Sequence, residues 1–122
     1  MKEPNYSYKI KQILKVIDGD TVDVLVDLGF HISVKKRVRL FGINAPEVRT
    51  RDLIEKEKGK LSKAKLEELL KKEHPKEDGA LILKCHGLGK YGRVIGTLYN
   101  GNCDLNRTMV LEGHASAYEF SK

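Results

Sequence analysis

Residues 8–28, YKIKQILKVIDGDTVDVLVDL, decide the fold. In the second half, Val22, Val24, Val26 and Leu28 fall on one side of an extended chain, with Asp23 and Asp27 on the other. That two-residue period belongs to a strand with one buried face. The first half is less regular: Tyr8, Ile10, Leu14 and Val16 share a face that Gln12 interrupts. Between the halves, Asp18-Gly19-Asp20 reads as a tight turn, so strands are predicted over 8–17 and 21–28. Gly29 marks the next hairpin, leading to a third strand over 32–43 (ISVKKRVRLFGI). There Ile32, Val34, Val38 and Leu40 are expected to face inward, and Arg37 and Arg39 the opposite way.

Beyond this the pattern changes. Residues 55–73 (EKEKGKLSKAKLEELLKKE) are dense in charges and good helix formers. Leu66, Leu69 and Leu70 recur at helical spacing, while Leu61 falls on a different side. Pro75 and Gly79 are expected to end the helix region. Residues 80–86 (ALILKCH) and 93–99 (RVIGTLY) read as two further strands, with Cys85 joining Leu81 and Leu83 in the core. Asp104 is placed to cap a short helix that ends at Gly113 and packs through Leu105 and Met109. Three strands, a long helix, two strands and a short helix predict a mainly β (α+β) domain: a five-stranded Greek-key barrel of the oligonucleotide-binding (OB-fold) type. A single domain is expected over 1–122, with its core at about 8–120.

Composition narrows the function. The chain of 122 residues carries 23 Lys+Arg against 17 Asp+Glu, a net charge of +6. The helical stretch from 55 to 78 holds only +1 of this, so the excess lies on strands and loops. A polyanion, nucleic acid before a membrane surface, is the expected partner. No apolar run reaches the length of a membrane span and the first residues do not form a secretory signal, so a cytoplasmic monomer is expected. Cys85 and Cys103 are read as reduced thiols. His31, His74, His86 and His114 are scattered without metal-ligand spacing and are read as surface or packing residues. Asp23 and Asp27 are expected to face solvent or pair with lysines. Gly87, Gly89 and Gly92 satisfy G-x-G-x-x-G, but a strand pattern follows where a dinucleotide site needs a helix.

Four segments carry candidate chemistry: the carboxylates of Asp18-Gly19-Asp20, the guanidinium pair of Arg37-Val38-Arg39, the Pro-stiffened loop Asn44-Ala45-Pro46-Glu47, and Lys90-Tyr91-Gly92-Arg93. Carboxylates for a hard cation together with arginines for a phosphate are the parts of metal-assisted phosphodiester cleavage. VIDGDT at 16–21, VRLFGINAPE at 38–47 and KYGR at 90–93 resemble, in the same order, the motifs of the thermonuclease (staphylococcal, or micrococcal, nuclease) family. The Arg-Thr-Arg-Asp run at 49–52 is similar to short intracellular and bacteriophage-encoded members.

The resemblance implies a Ca²⁺-dependent nuclease (Mg²⁺ or Mn²⁺ being alternatives) acting on single- and double-stranded DNA and on RNA. It would cut the 5′ P–O bond and leave 3′-phosphate ends. Asp20 matches a calcium ligand, Asn44 stands at the second ligand position, and Ala45 matches a position that contributes its carbonyl. Glu47 matches the general base, while Arg39 and Arg93 match the arginines that bind the scissile phosphate. Lys90, Tyr91, Tyr118 and Phe120 match positions lining the nucleotide cleft, Phe120 where a second tyrosine is common. Asn44 replaces the family's usual aspartate and removes one negative charge, which implies weaker calcium binding. Asp18 is a possible substitute for that charge. The alternative expectation is a nucleic-acid-binding OB-fold module with little or no cleavage.

Overall fold

The computed structural model describes residues 6–71 and 81–118. The strands β1 (Tyr6–Asp18), β2 (Thr21–Asp27), β3 (Ser33–Leu40), β5 (Leu81–Leu88) and β6 (Val94–Asn100) form the main sheet. Their order is β3-β2-β1-β5-β6, and a short parallel pairing of β3 with β6 (Val38 with Val94, Arg39 with Ile95, Leu40 with Gly96) closes the barrel. This is the expected five-stranded OB-fold. The two-residue strands β4 (Ile43–Asn44) and β8 (Ser116–Ala117) pair with each other, and β7 (Cys103–Asp104) adds to β6. Helix α1 (Leu53–Lys71) lies between β4 and β5, and α2 (Leu105–Leu111) follows β7. Among the described residues no helix is long and apolar enough to cross a membrane.

Strand β1 departs from the expected alternation. Its pairing with β2 skips a residue between Ile10 and Gln12, between Ile13 and Lys15, and between Val16 and Asp18. Each bulge adds a residue and reverses which parity faces inward. Ile10 and Val16 are therefore buried and Ile13 packs against the core, whereas Leu14, expected inside, is 41% exposed. Gln12 interrupts the predicted face because it follows the first bulge.

The hairpin between β2 and β3 also differs. Phe30 and His31 both adopt positive φ, and the N–H of Ile32 donates to the Gly29 carbonyl. The strand accordingly starts at Ser33, and Leu28 and Ile32 lie in the exposed turn region rather than inside. Asp27 accepts a hydrogen bond from the Gly29 N–H and so stabilises this turn.

The third strand ends earlier than expected. After Leu40 the chain turns through Gly42, at φ 79°, so that Ile43 and Asn44 run separately toward β8. That end is held at several points: Leu40 N–H donates to the Asp20 carbonyl, Phe41 N–H to the Gly96 carbonyl, and Tyr118 N–H to the Gly42 carbonyl. Buried Asn106 of α2 adds a cross-link, donating to the carbonyls of Phe41 and Gly96 and accepting from Leu98 N–H.

Helix α1 begins two residues before the expected start because Asp52 caps it, its Oδ1 accepting from the N–H groups of Ile54 and Glu55. Asp104 caps α2 as expected, accepting from Arg107 N–H. Leu66, Leu69 and Leu70 of α1 and Leu105 and Met109 of α2 complete a core built on Val22, Val24, Val26, Val38, Leu40, Leu83 and Leu98. Cys85 packs at its margin. His74, Pro75 and Gly79 lie outside the described residues.

Candidate nucleic-acid cleavage site

The Asp18-Gly19-Asp20 turn, the end of β3 and the loop after β4 meet at one corner of the barrel. Asp20 is buried there, at 6% exposure. One carboxylate oxygen accepts from the Thr21 hydroxyl at 2.9 Å and the other from Ala45 N–H at 2.8 Å. The second oxygen also lies 3.5 Å from Nη1 of Arg39, whose side chain is only 11% exposed. Arg39 donates to the carbonyls of Leu40 and Ile43 and, more weakly, to Oδ1 of Asn44 at 3.3 Å. Its guanidinium carbon sits 5.9 Å from the centre of the Tyr118 ring, within cation–π range. Asp20, Arg39, Asn44, Ala45 and Tyr118 thus form one connected group.

Glu47 projects from the same loop and is exposed. Its backbone is held from two sides. Asp18 accepts a hydrogen bond from Val48 N–H at 2.9 Å. From the other side Gly59 of α1 comes so close that an added Cβ would lie 2.6 Å from the Glu47 carbonyl carbon and 2.9 Å from Val48 N. The turn itself is seated similarly: a Cβ on Gly19 would collide with Ser62 of α1 and stand 3.1 Å from Ala45 Cβ. Ser62 in turn donates to the His114 carbonyl. Asp18 therefore ties down the loop that presents Glu47.

Arg93 precedes β6 in extended conformation. Ile95 is the register partner of Arg39, so alternation places Arg93 on the same face, one two-residue step along and beside Arg37. Its Nε is buried and has no hydrogen-bond partner among the described residues. Lys90 and Tyr91 stand on a 3₁₀ turn, Lys90–Gly92, with both side chains exposed and Tyr91 at φ 61°. Phe120 lies outside the described residues.

Sequence reasoning misplaced Asp23. It is not solvated but 6% exposed, and Arg37 grips it through Nε at 2.8 Å and Nη2 at 3.1 Å. The Arg37 hydrogen bonds hold its carboxyl below the usual range against the opposing effect of burial, aided by the charges of Arg37, Lys35 and Lys15. His86 is a packing residue, 4.5 Å from Phe41 between ring centres and hydrogen-bonded to Thr97. Burial and then Lys84 lower its pKa.

The sequence pattern of the family described as staphylococcal nuclease homologue matches residues 37–122. The chain belongs to this family. The matched segment contains Arg39, Asn44, Ala45, Glu47 and Arg93. Asp20 precedes it, and its bonds to Ala45 and Thr21 and its approach to Arg39 bring it into the same site. Protein ParB of Escherichia coli is 31% identical over 119 residues, covering 89% of this chain and 57% of ParB. The chain thus spans little more than half the length of that relative.

Gly59→Ala is expected to lower stability by about 1–3 kcal/mol in denaturant unfolding, because the Cβ displaces the Glu47–Val48 peptide. Alanine is otherwise the better helix former by about 1 kcal/mol, so an equally or more stable variant would show that the loop yields freely. Asp23→Asn is expected to be less stable than the parent at neutral pH. A carboxyl with a lowered folded-state pKa stabilises above its unfolded value, near 4, and that stabilisation is lost as pH falls through the folded value. The gap between parent and variant in thermal melts should therefore close in acid, and a gap constant across the acid range would contradict the assignment.

Proposed function

We propose that the protein is a metal-dependent nuclease hydrolysing phosphodiester bonds in DNA and RNA with little sequence preference. The observation that carries this reading is the buried Asp20 carboxylate held beside a nearly buried, backbone-anchored Arg39, with exposed Glu47 on the adjoining loop. A surface that only binds the nucleic-acid backbone has no need of an exposed carboxylate such as Glu47 beside its cations, because that charge repels phosphate. Family membership supports the same reading.

The donor chemistry fits a hard cation. Asp20, the amide oxygen of Asn44 and the carbonyl of Ala45 supply oxygen alone, the set Ca²⁺ and Mg²⁺ prefer. Among the described residues no three of His, Cys, Asp and Glu gather into a metal-binding group, which is consistent with Asn44 having replaced an acid. When bound, the ion supplies positive charge against the phosphate oxygens.

The chain's own groups do the rest. Glu47 takes a proton from the attacking water, whose oxygen bonds to phosphorus as the bond to the 5′ oxygen breaks; that oxygen leaves with the bonding electrons and takes a proton from solvent. The products are a 3′-phosphate and a 5′-hydroxyl. Arg39 and Arg93 stabilise the negative charge that grows on the phosphate oxygens, and the bonds that fix Arg39 beforehand reduce reorganisation during the step. Lys90, Tyr91 and Tyr118 border the strand being cut, where phenol rings stack on bases.

Incubation with single-stranded DNA and with RNA, in calcium, magnesium or EDTA, tests the proposal. Cleavage should require a divalent ion, collapse in Glu47→Gln, and fall by about a hundred-fold or more in Arg39→Ala. Binding without cleavage under every ion would favour the second reading, a nucleic-acid-binding module, for which Asn44 is the supporting observation. In Asn44→Asp a carboxylate replaces the amide, so calcium should bind more tightly in a calorimetric titration. Unchanged affinity would remove residue 44 from the ligand set.

A further inference from the structure

Beside the Asp20 corner lies a cleft of about 610 Å³ that shares Tyr91 and Arg93 with the proposed cleavage site and extends from it along β3. Lys35, Lys36 and Arg37 of β3 line it, with Tyr91, Gly92 and Arg93, and among the described residues no acidic one is in its wall. Arg37 is fixed there. Its two-pronged bond to buried Asp23 occupies Nε and one hydrogen of Nη2, while the side chain remains half exposed. A carboxylate buried on the outer face of a barrel is costly unless paired. Here its pairing holds a planar guanidinium in one orientation at the cleft wall. Arg93 borders the same cleft with a buried Nε that lacks a partner among the described residues.

Spacing identifies the occupant. Lys35, Arg37 and Arg39 alternate along one face of β3, about 6.6 Å apart per step. Neighbouring phosphates along an extended single strand are spaced on the same scale. A strand with the scissile phosphate at Arg39 and Arg93 would therefore bring the next to Arg37, and another toward Lys35.

We propose that this cleft is a second phosphate subsite, in which Arg37, positioned by Asp23, acts with Lys35 and Lys36 to hold the backbone of a single nucleic-acid strand beyond the bond being cut. The inference rests on the nucleic-acid reading above, but it concerns binding and is tested without cleavage. Binding of end-labelled oligothymidylates of two and eight nucleotides is followed by fluorescence anisotropy in EDTA over a range of salt. The parent should prefer the longer strand.

Lys35→Ala/Lys36→Ala should weaken eight-nucleotide binding by about tenfold, reduce the preference for length, and lower the salt slope by about 0.7 for each phosphate no longer neutralised. Lys60→Ala/Lys63→Ala removes the same charge from α1 and should leave the length preference in place. Equal losses in both double variants would reduce the effect to general electrostatics and overturn the subsite. So would undiminished length preference in Lys35→Ala/Lys36→Ala, even where the parent cleaves. If the parent never cleaves, yet only that variant loses the preference, the subsite stands and the nuclease assignment falls.

Discussion

The bond from Ala45 N–H to the Asp20 carboxylate organises the corner on which the site depends. It joins the turn before β2 to the loop after β4, segments separated by 25 positions in the chain. Leu40 N–H donates to the Asp20 carbonyl, so one residue secures both the end of β3 and the loop beyond it. The carboxylate is tolerated in this buried position because Thr21, Ala45 and Arg39 surround it with donors and positive charge. Arg39 is immobilised by the same arrangement, its guanidinium spanning the Leu40 and Ile43 carbonyls across the Gly42 turn.

Helix α1 acts as the second support. Two small residues on it, Gly59 and Ser62, let the backbone of the functional loops approach closely: Gly59 accepts the Glu47–Val48 peptide and Ser62 lies against Gly19. A helix of strong formers interrupted by glycine costs about 1 kcal/mol relative to alanine, and close approach of the loop gives that glycine a reason. Lys65 then bridges α1 to Glu112 at 3.0 Å, which links the helix to the end of α2.

The fold was largely legible because β2 and β5 to β6 present clean alternation or turn signals, and because Asp104 caps its helix locally. Strand β1 was less legible. Its bulges are set by pairing with β2, and three reversals of parity leave a pattern that no single face explains. In the site, motif order placed Asp20, Arg39, Asn44 and Ala45 together, and the structure connects them. The structural contacts of Asp18, Gly59 and Asp23 were not legible for a common reason: each acts through a partner distant in sequence. Gly59 alone left a trace, as the glycine inside a helical stretch. Asp23 could not be told from a solvated strand residue until Arg37 was found opposite it in register.

Asp23 and Asp20 are two carboxylates of one strand region, each buried against an arginine of β3, and antiparallel pairing explains why. Thr21 pairs with Arg39 and Asp23 with Arg37, so each arginine meets an acidic group beside or at its register partner. The two pairs differ in what they leave exposed. Arg39 is enclosed by backbone carbonyls, whereas Arg37 keeps half its side chain in solvent. An enclosed guanidinium suits charge that develops at a fixed point, because it is oriented before the reaction. A half-exposed one, oriented by its acid yet open to solvent, suits a salt-sensitive contact with a strand that must leave. The same two-residue period of β3 therefore places an enclosed and a half-exposed guanidinium side by side, and the backbone turn at Gly42, which wraps only Arg39, makes the difference.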